Sequence, residues 1–239
     1  MNDNKTVALL ADLNGSDKPA IRAAVDELIK LAAQSPALVD ELNRLLADSR
    51  SRHPWPAAYI LAHLPHPSQR VITVLLNALD DPDPDIRWAV MLLLVRLAKT
   101  DSGIVRLLLE LRETGTPTQR RMALYCVRDL KLTDAASLQA LLDSLRDDDA
   151  MVRVAAVTSL KGRTDIDSRG RKMLCELFLN DPDLKVRNAA AVSLALLGSP
   201  SEEFLAALKK AEASEHAQLR KSATAAIAIL QKERPKKFE

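Results

Sequence analysis

One phrase recurs along this chain: an acidic turn, a branched apolar residue, an arginine, small residues, then leucine. It reads Asp83-Pro84-Asp85-Ile86-Arg87, then Asp149-Ala150-Met151-Val152-Arg153, then Asp183-Leu184-Lys185-Val186-Arg187. Weaker copies centre on Arg22, Arg120 and Arg220. From Arg87 the arginines stand at 87, 120, 153, 187 and 220, with gaps of 33, 33, 34 and 33 residues. The gap from Arg22 to Arg87 is 65, which predicts a further copy near position 54. There Pro54 is followed by Ala57, Ala58 and Leu61, so the small residues and the leucine persist while the arginine is lost. A near-constant period of this length describes a supersecondary unit stacked on copies of itself.

Each copy divides into two helices. The first, helix A, has apolar residues at helical spacing, as in Val71, Val74, Leu75 and Ala78, or Leu138, Leu141, Leu142 and Leu145. A turn such as Asp80-Asp81-Pro82-Asp83 or Asn180-Asp181-Pro182-Asp183 follows, and its Asp side chains can accept the free N–H groups of the next helix. Helix B runs from the arginine phrase to the leucine, as in Val186, Ala189, Ala190, Leu194 and Leu197. Its small midpoint residues let helices approach closely, and Ala190 is expected at such a crossing. A lone pair of this kind cannot bury its apolar face, so neighbouring pairs must stack. Composition agrees: 47% of residues are hydrophobic, only 3% aromatic, and there are just 6 glycines, a helix-forming balance.

The pattern resembles the HEAT repeat family, in particular its short bacterial members of the phycobilisome-lyase-like kind. The resemblance runs from about Lys5 to Gln231 and is strongest from Asp80 to Leu197. It implies an all-α fold, a right-handed α-solenoid (superhelix) of about seven HEAT-like helical pairs and some fourteen helices. Residues 1–231 are expected to form one solenoid domain, with 232–239 a basic C-terminal tail. The family specifies a fold far more closely than a function.

On a wheel of about 100° per residue the arginine lies at the edge of the buried arc, facing a neighbouring repeat. Acids precede it by four and six residues in three copies: Asp83 and Asp81, Asp149 and Asp147, Asp183 and Asp181. Arg87, Arg153 and Arg187 are therefore each expected within salt-bridge reach of a turn Asp, of their own or an adjacent repeat; the resemblance implies a ladder between repeats. A phosphate-binding row of arginines is the alternative.

The opposite side of helix B comprises the positions one, four, five and eight after the arginine. They hold Trp55, Ala58, Tyr59 and Ala62 in the second copy, and Trp88, Met91, Leu92 and Val95 in the third. In the fourth they hold Arg121, Leu124, Tyr125 and Arg128. Both tryptophans and both tyrosines of the chain thus map to one face of three consecutive helices. The resemblance puts B helices on the concave surface, where an aromatic patch rimmed by arginine suits a protein or peptide partner. Trp55, Tyr59, Trp88, Met91, Leu92, Arg121, Tyr125 and Arg128 are the candidate partner-binding residues. The competing reading is that these side chains pack between adjacent B helices.

No phosphate-binding glycine loop, Gly-x-Ser-x-Gly elbow or His-Glu-x-x-His pair is present, and no catalytic residue, cofactor or metal is expected. HEAT-like deoxyhypusine hydroxylases use His-Glu dipeptides to hold iron, and this chain contains none. His53, His63 and His66 cluster among prolines and are expected in a turn-rich loop. Cys126 and Cys175 fall inside apolar helical patterns and are expected as core residues. No secretory signal or membrane span is recognisable, so a cytoplasmic location is expected. The expected function is a non-enzymatic protein–protein interaction scaffold. Its alternatives are a nucleic-acid-binding HEAT-like protein, including a glycosylase-like DNA binder, or a lyase-like accessory protein. The formal net charge of +2 gives nucleic acid little general attraction.

Overall fold

The computed structural model describes residues 3–48, 53–197 and 200–233; the end of the expected basic tail, 234–239, lies outside these. Among the described residues there are fourteen α-helices and no strand, arranged as seven A/B pairs. The chain forms two compact units, Met1–Ile104 and Val105–Glu239.

The first unit contains α1 (Asp3–Asp12) with α2 (Lys18–Ala32), α3 (Pro36–Ala47) with α4 (Trp55–Leu61), and α5 (Gln69–Ala78) with α6 (Pro84–Ala98). The boundary falls in α7 (Ser102–Thr114). The second unit continues with α8 (Pro117–Leu130) and α9 (Ala135–Asp143), which a 3-10 turn (Ser144–Arg146) extends. Then come α10 (Ala150–Ser159), α11 (Ser168–Asn180), α12 (Leu184–Ala195), α13 (Glu202–Glu212) and α14 (Ala217–Glu233). Within it α8, α10, α12 and α14 stack B on B in sequence order, while α11 packs on α13.

The turn acids do what their spacing requires. Asp83, Asp149 and Asp183 cap α6, α10 and α12 by accepting first-turn backbone N–H groups. Two residues earlier, Asp81, Asp147 and Asp181 each accept the backbone N–H of the capping Asp, at 2.8, 2.9 and 2.8 Å. One carboxylate shapes the turn and the next starts the helix. The second repeat, which lost its arginine, also lost its cap: Pro54 offers no side-chain acceptor, and α4 is only 7 residues long.

Small residues line the B–B crossings. Ala123, Ala156, Ala190 and Ala223, one per helix, are fully buried. Beside them runs a buried hydroxyl series that sequence inspection missed. Ser159 donates to the carbonyl of Leu124 at 3.3 Å, and Ser193 to that of Val157 at 3.0 Å. Each ties its helix to the preceding B helix through an acceptor already used once by the α-helical ladder. On the A side, Phe178 of α11 and Phe204 of α13 meet edge to face, with centroids 6.3 Å apart. Cys126 and Cys175 are buried as expected; burial pushes the Cys126 thiol far up and that of Cys175 up to about 11.

Candidate functional site

The arginine column resolves into two kinds of contact. Every arginine from Arg87 to Arg220 donates to carbonyls of the turn just before its own helix. Arg153 reaches Asp147 O at 2.8 Å and Asp148 O at 3.0 Å, and Arg220 reaches Ser214 O at 2.7 Å and Glu215 O at 2.9 Å. A cation there sits at the C-terminal end of helix A, where the helix dipole favours it. Arg120 and Arg153 go further and grip the turn Asp of the following repeat with the Nε and Nη2 edge of the guanidinium. Arg120 meets Asp147 at 2.8 and 2.7 Å, and Arg153 meets Asp181 at 2.8 and 2.9 Å. Burial opposes ionisation of Asp147, but Arg120 and the Asp149 N–H outweigh it and hold the carboxyl below the usual carboxylate range.

The expectation that Arg87, Arg153 and Arg187 all reach a turn carboxylate therefore needs correction. It holds for Arg153; Arg87 and Arg187 bind turn carbonyl oxygens, including those of Asp81 and Asp181. In sequence register the next repeat offers Arg87 Thr114 and offers Arg187 Ser214, neither of which carries a charge. The ladder ends where the acids end. In the first unit Lys18 pairs with Asp83, and Arg22 with Asp85 at 3.0 Å, linking the starts of α2 and α6.

The B-helix face divides differently from the wheel. Trp88 and Leu92, one turn apart on α6, are 42% and 60% exposed. Trp55 and Tyr59 on α4 are half-buried. Met91, placed on this face by its spacing, is buried, with 1% of its surface exposed; Ala58, Ala62 and Val95 are buried too. The reason is that a B helix inside a stack has its own A helix and flanking B helices to pack against. Its buried arc is wider than a two-helix wheel allows, and the exposed strip narrows to the positions one and five after the arginine. In the second unit Arg121, Tyr125 and Arg128 are half-buried on α8.

Each half has its own polar surroundings. In the first, the Tyr59 ring lies 5.0 Å from that of His63, whose Nδ1 is 2.9 Å from the Tyr59 carbonyl. Burial and the nearby Arg96 push the His63 pKa down, against that carbonyl. Burial, with help from Asp26, raises the Tyr59 phenol while Arg96 pulls the other way. In the second half, the Arg128 guanidinium lies 4.8 Å over the Tyr125 ring and pairs with Asp129 at 2.7 Å. Among the described residues no three His, Cys, Asp or Glu side chains converge as a metal site would require.

The profile of HEAT repeats matches residues 72–161 and again 138–228, together more than half of the chain. The chain belongs to the HEAT repeat family. Solved structures similar to this HEAT-repeat chain include a designed armadillo repeat protein in complex with the peptide (KR)4. The two are 17% identical with a TM-score of 0.45, over 93% of this chain and 98% of that one. The Escherichia coli YibA protein is 16% identical with a TM-score of 0.48, over 97% and 93% of the two chains. Human deoxyhypusine hydroxylase in complex with glycerol is 17% identical with a TM-score of 0.45, over 97% of each. These are likenesses of fold alone. No curated protein matches the sequence. Among the described residues no helix is long and apolar enough to cross a membrane.

Proposed function

We propose that this HEAT-repeat chain is a non-enzymatic scaffold that holds a protein or peptide partner on the exposed strip of its B helices. The observation that carries the reading is the pair Trp88 and Leu92, one helical turn apart and 42% and 60% exposed. Two large apolar side chains left in water on one strip gain by being covered, and tryptophan is enriched among the anchors of interfaces. Trp55 and Tyr59, half-buried on α4, occupy the same two positions one repeat earlier. His63 lies against a backbone carbonyl, and both thiols are buried with raised pKa values, which does not favour them as reactive groups. Free cysteines suit a reducing compartment, and on that ground we place the protein in the cytoplasm.

The test is selection of displayed random peptides on the immobilised chain, followed by rescoring on Trp88→Ala and Leu92→Ala. Trp88→Ala should keep its helical circular dichroism and melting behaviour yet weaken the selected peptides by about 2 kcal/mol or more, as a central anchor does. Peptides that bind both variants as tightly as the parent would refute the reading, and so would a Trp88→Ala variant that unfolds.

A further inference from the structure

The four B helices of the second unit are charged very unevenly. Together α8, α10, α12 and α14 carry nine lysines and arginines against two carboxylates, Asp129 and Glu233. The four column arginines are committed to turn carbonyls and rungs. On the strip stand Arg121 and Lys221 at the first position after the column; beside it, at the eighth, stand Arg128 and Lys161, the latter just past the end of α10. Lys161 and Lys221 are exposed, and Arg121 and Arg128 half-buried. Asp129 neutralises part of Arg128. Between these cations lie half-buried Tyr125, Val154, Thr158 and Val192. The other acids of this unit sit in the A helices, in the turns that cap the B helices, and in the segments after α8 and α10, where Asp134 and Asp167 cap the next A helices and Asp165 pairs with Arg163.

We infer that this face takes an acidic polypeptide segment, a conclusion that rests on the scaffold reading and specifies its partner. Carboxylates of the segment meet Arg121, Arg128, Lys161 and Lys221, and its apolar side chains lie on Tyr125, Val154 and Val192. Charge complementarity sets the sign of the partner, and the apolar residues between the cations set its kind. A nucleic acid fits less well for three reasons. Packed helix axes are about 8–10 Å apart, so four cations over this stack, two of them on α8 and none on α12, are sparse beside a duplex with a charge about every 1.7 Å. Single-strand binding needs aromatic platforms, and the strip offers one, Tyr125, whose ring already holds Arg128. The row Asp147, Asp148, Asp149, Asp181 and Asp183 at the starts of α10 and α12 would repel a polyanion longer than the strip. A short acidic segment avoids that edge.

The experiment uses the full chain and a displayed random dodecamer library, with Asp and Glu content of the selected pool as readout. The expected pool is enriched at least about twofold in acids over the input, and its binding weakens as salt rises. Selection on Lys161→Glu/Lys221→Glu, both exposed sites, should lose that enrichment, and Arg121→Glu should do the same. Helical circular dichroism of each variant checks that it is folded. A neutral or basic pool overturns the inference, as does acidic enrichment that survives charge reversal. A short oligothymidylate that binds more tightly than the best peptide also overturns it. Trp88-dependent peptides without acids would leave the scaffold standing and remove only this inference; a library that yields no binder removes both.

Discussion

Removing Arg153 tests the ladder most directly, because its guanidinium makes every type of contact the column uses. Its side chain is 11% exposed and that of Asp181 is 2% exposed, so the pair is shut away from water. Two bonds of 2.8 and 2.9 Å join them, and two more tie Arg153 to the carbonyls of Asp147 and Asp148. In Arg153→Ala the Asp181 carboxylate keeps only the Asp183 N–H at 2.8 Å and remains buried as a charge. Stranding a buried charge in this way costs about 3–5 kcal/mol, and the opening left by the deleted side chain admits some water, which favours about 3. Arg87→Ala is the internal control. Its partners are the neutral carbonyls of Asp81 and Pro82, which an exposed turn can rehydrate, so about 1 kcal/mol is expected.

The assay is equilibrium urea unfolding followed by circular dichroism at the helical band. Tryptophan fluorescence is unsuitable for this rung, since Trp55 and Trp88 both lie in the first unit. Adding Asp181→Asn to Arg153→Ala removes the stranded charge while keeping an oxygen for the Asp183 N–H. The double variant should recover at least about 1.5 kcal/mol relative to the sum of the singles. An Arg153→Ala variant within about 0.5 kcal/mol of the parent, or one no worse than Arg87→Ala, would refute the assignment of Asp181 as a buried rung.

Two further outcomes follow from the same packing. The depressed Asp147 carboxyl stabilises fully above the ordinary carboxylate pKa and loses that contribution as pH falls through its lower folded value. Arg120→Ala should therefore flatten the acid limb of a melting-temperature profile below about pH 4, and an unchanged slope would count against the rung. Ala190→Leu, at a B–B crossing with no exposed surface, should cost about 1–3 kcal/mol, measured by urea unfolding; a neutral result would show that α12 does not meet its neighbours there.

The fold was legible because its signals are local and repeated. Asp-x-Asp turns, helix caps and a period near 33 residues each lie within one stretch of chain, and seven copies average out the weak ones. The ladder was half legible. Reading Asp147 and Asp181 against the arginine of their own repeat left open which repeat they serve. Reading them against the preceding arginine gives Thr114, Asp147, Asp181 and Ser214 in turn, and predicts rungs at Arg120 and Arg153 alone. The buried hydroxyls gave a fainter sign, since Ser159 and Ser193 share a column with Leu93 and Cys126, a core column where a polar group must find a partner. Met91 was misplaced because a wheel built for two helices ignores the flanking helices of a stack.

The candidate site was legible in a different way, through variation between repeats within the one chain. Three positions after the arginine, packing dictates the residue, and the column reads Ala57, Val90, Ala123, Ala156, Ala190, Ala223. All six are buried, and a larger side chain at the crossing would push helices apart. One position after the arginine, the column reads Trp55, Trp88, Arg121, Val154, Asn188, Lys221; five positions after it reads Tyr59, Leu92, Tyr125, Thr158, Val192, Ala225. None of these twelve is buried. Repeats that share a backbone share its packing demands, so a column that changes from aromatic to cationic to aliphatic is one the stack does not dictate. The same two columns hold Trp88 and Leu92 in the first unit and Arg121 and Lys221 in the second. What varies along them is the chemistry of the exposed surface, and that is where the proposed scaffold role and the proposed acidic ligand are to be tested.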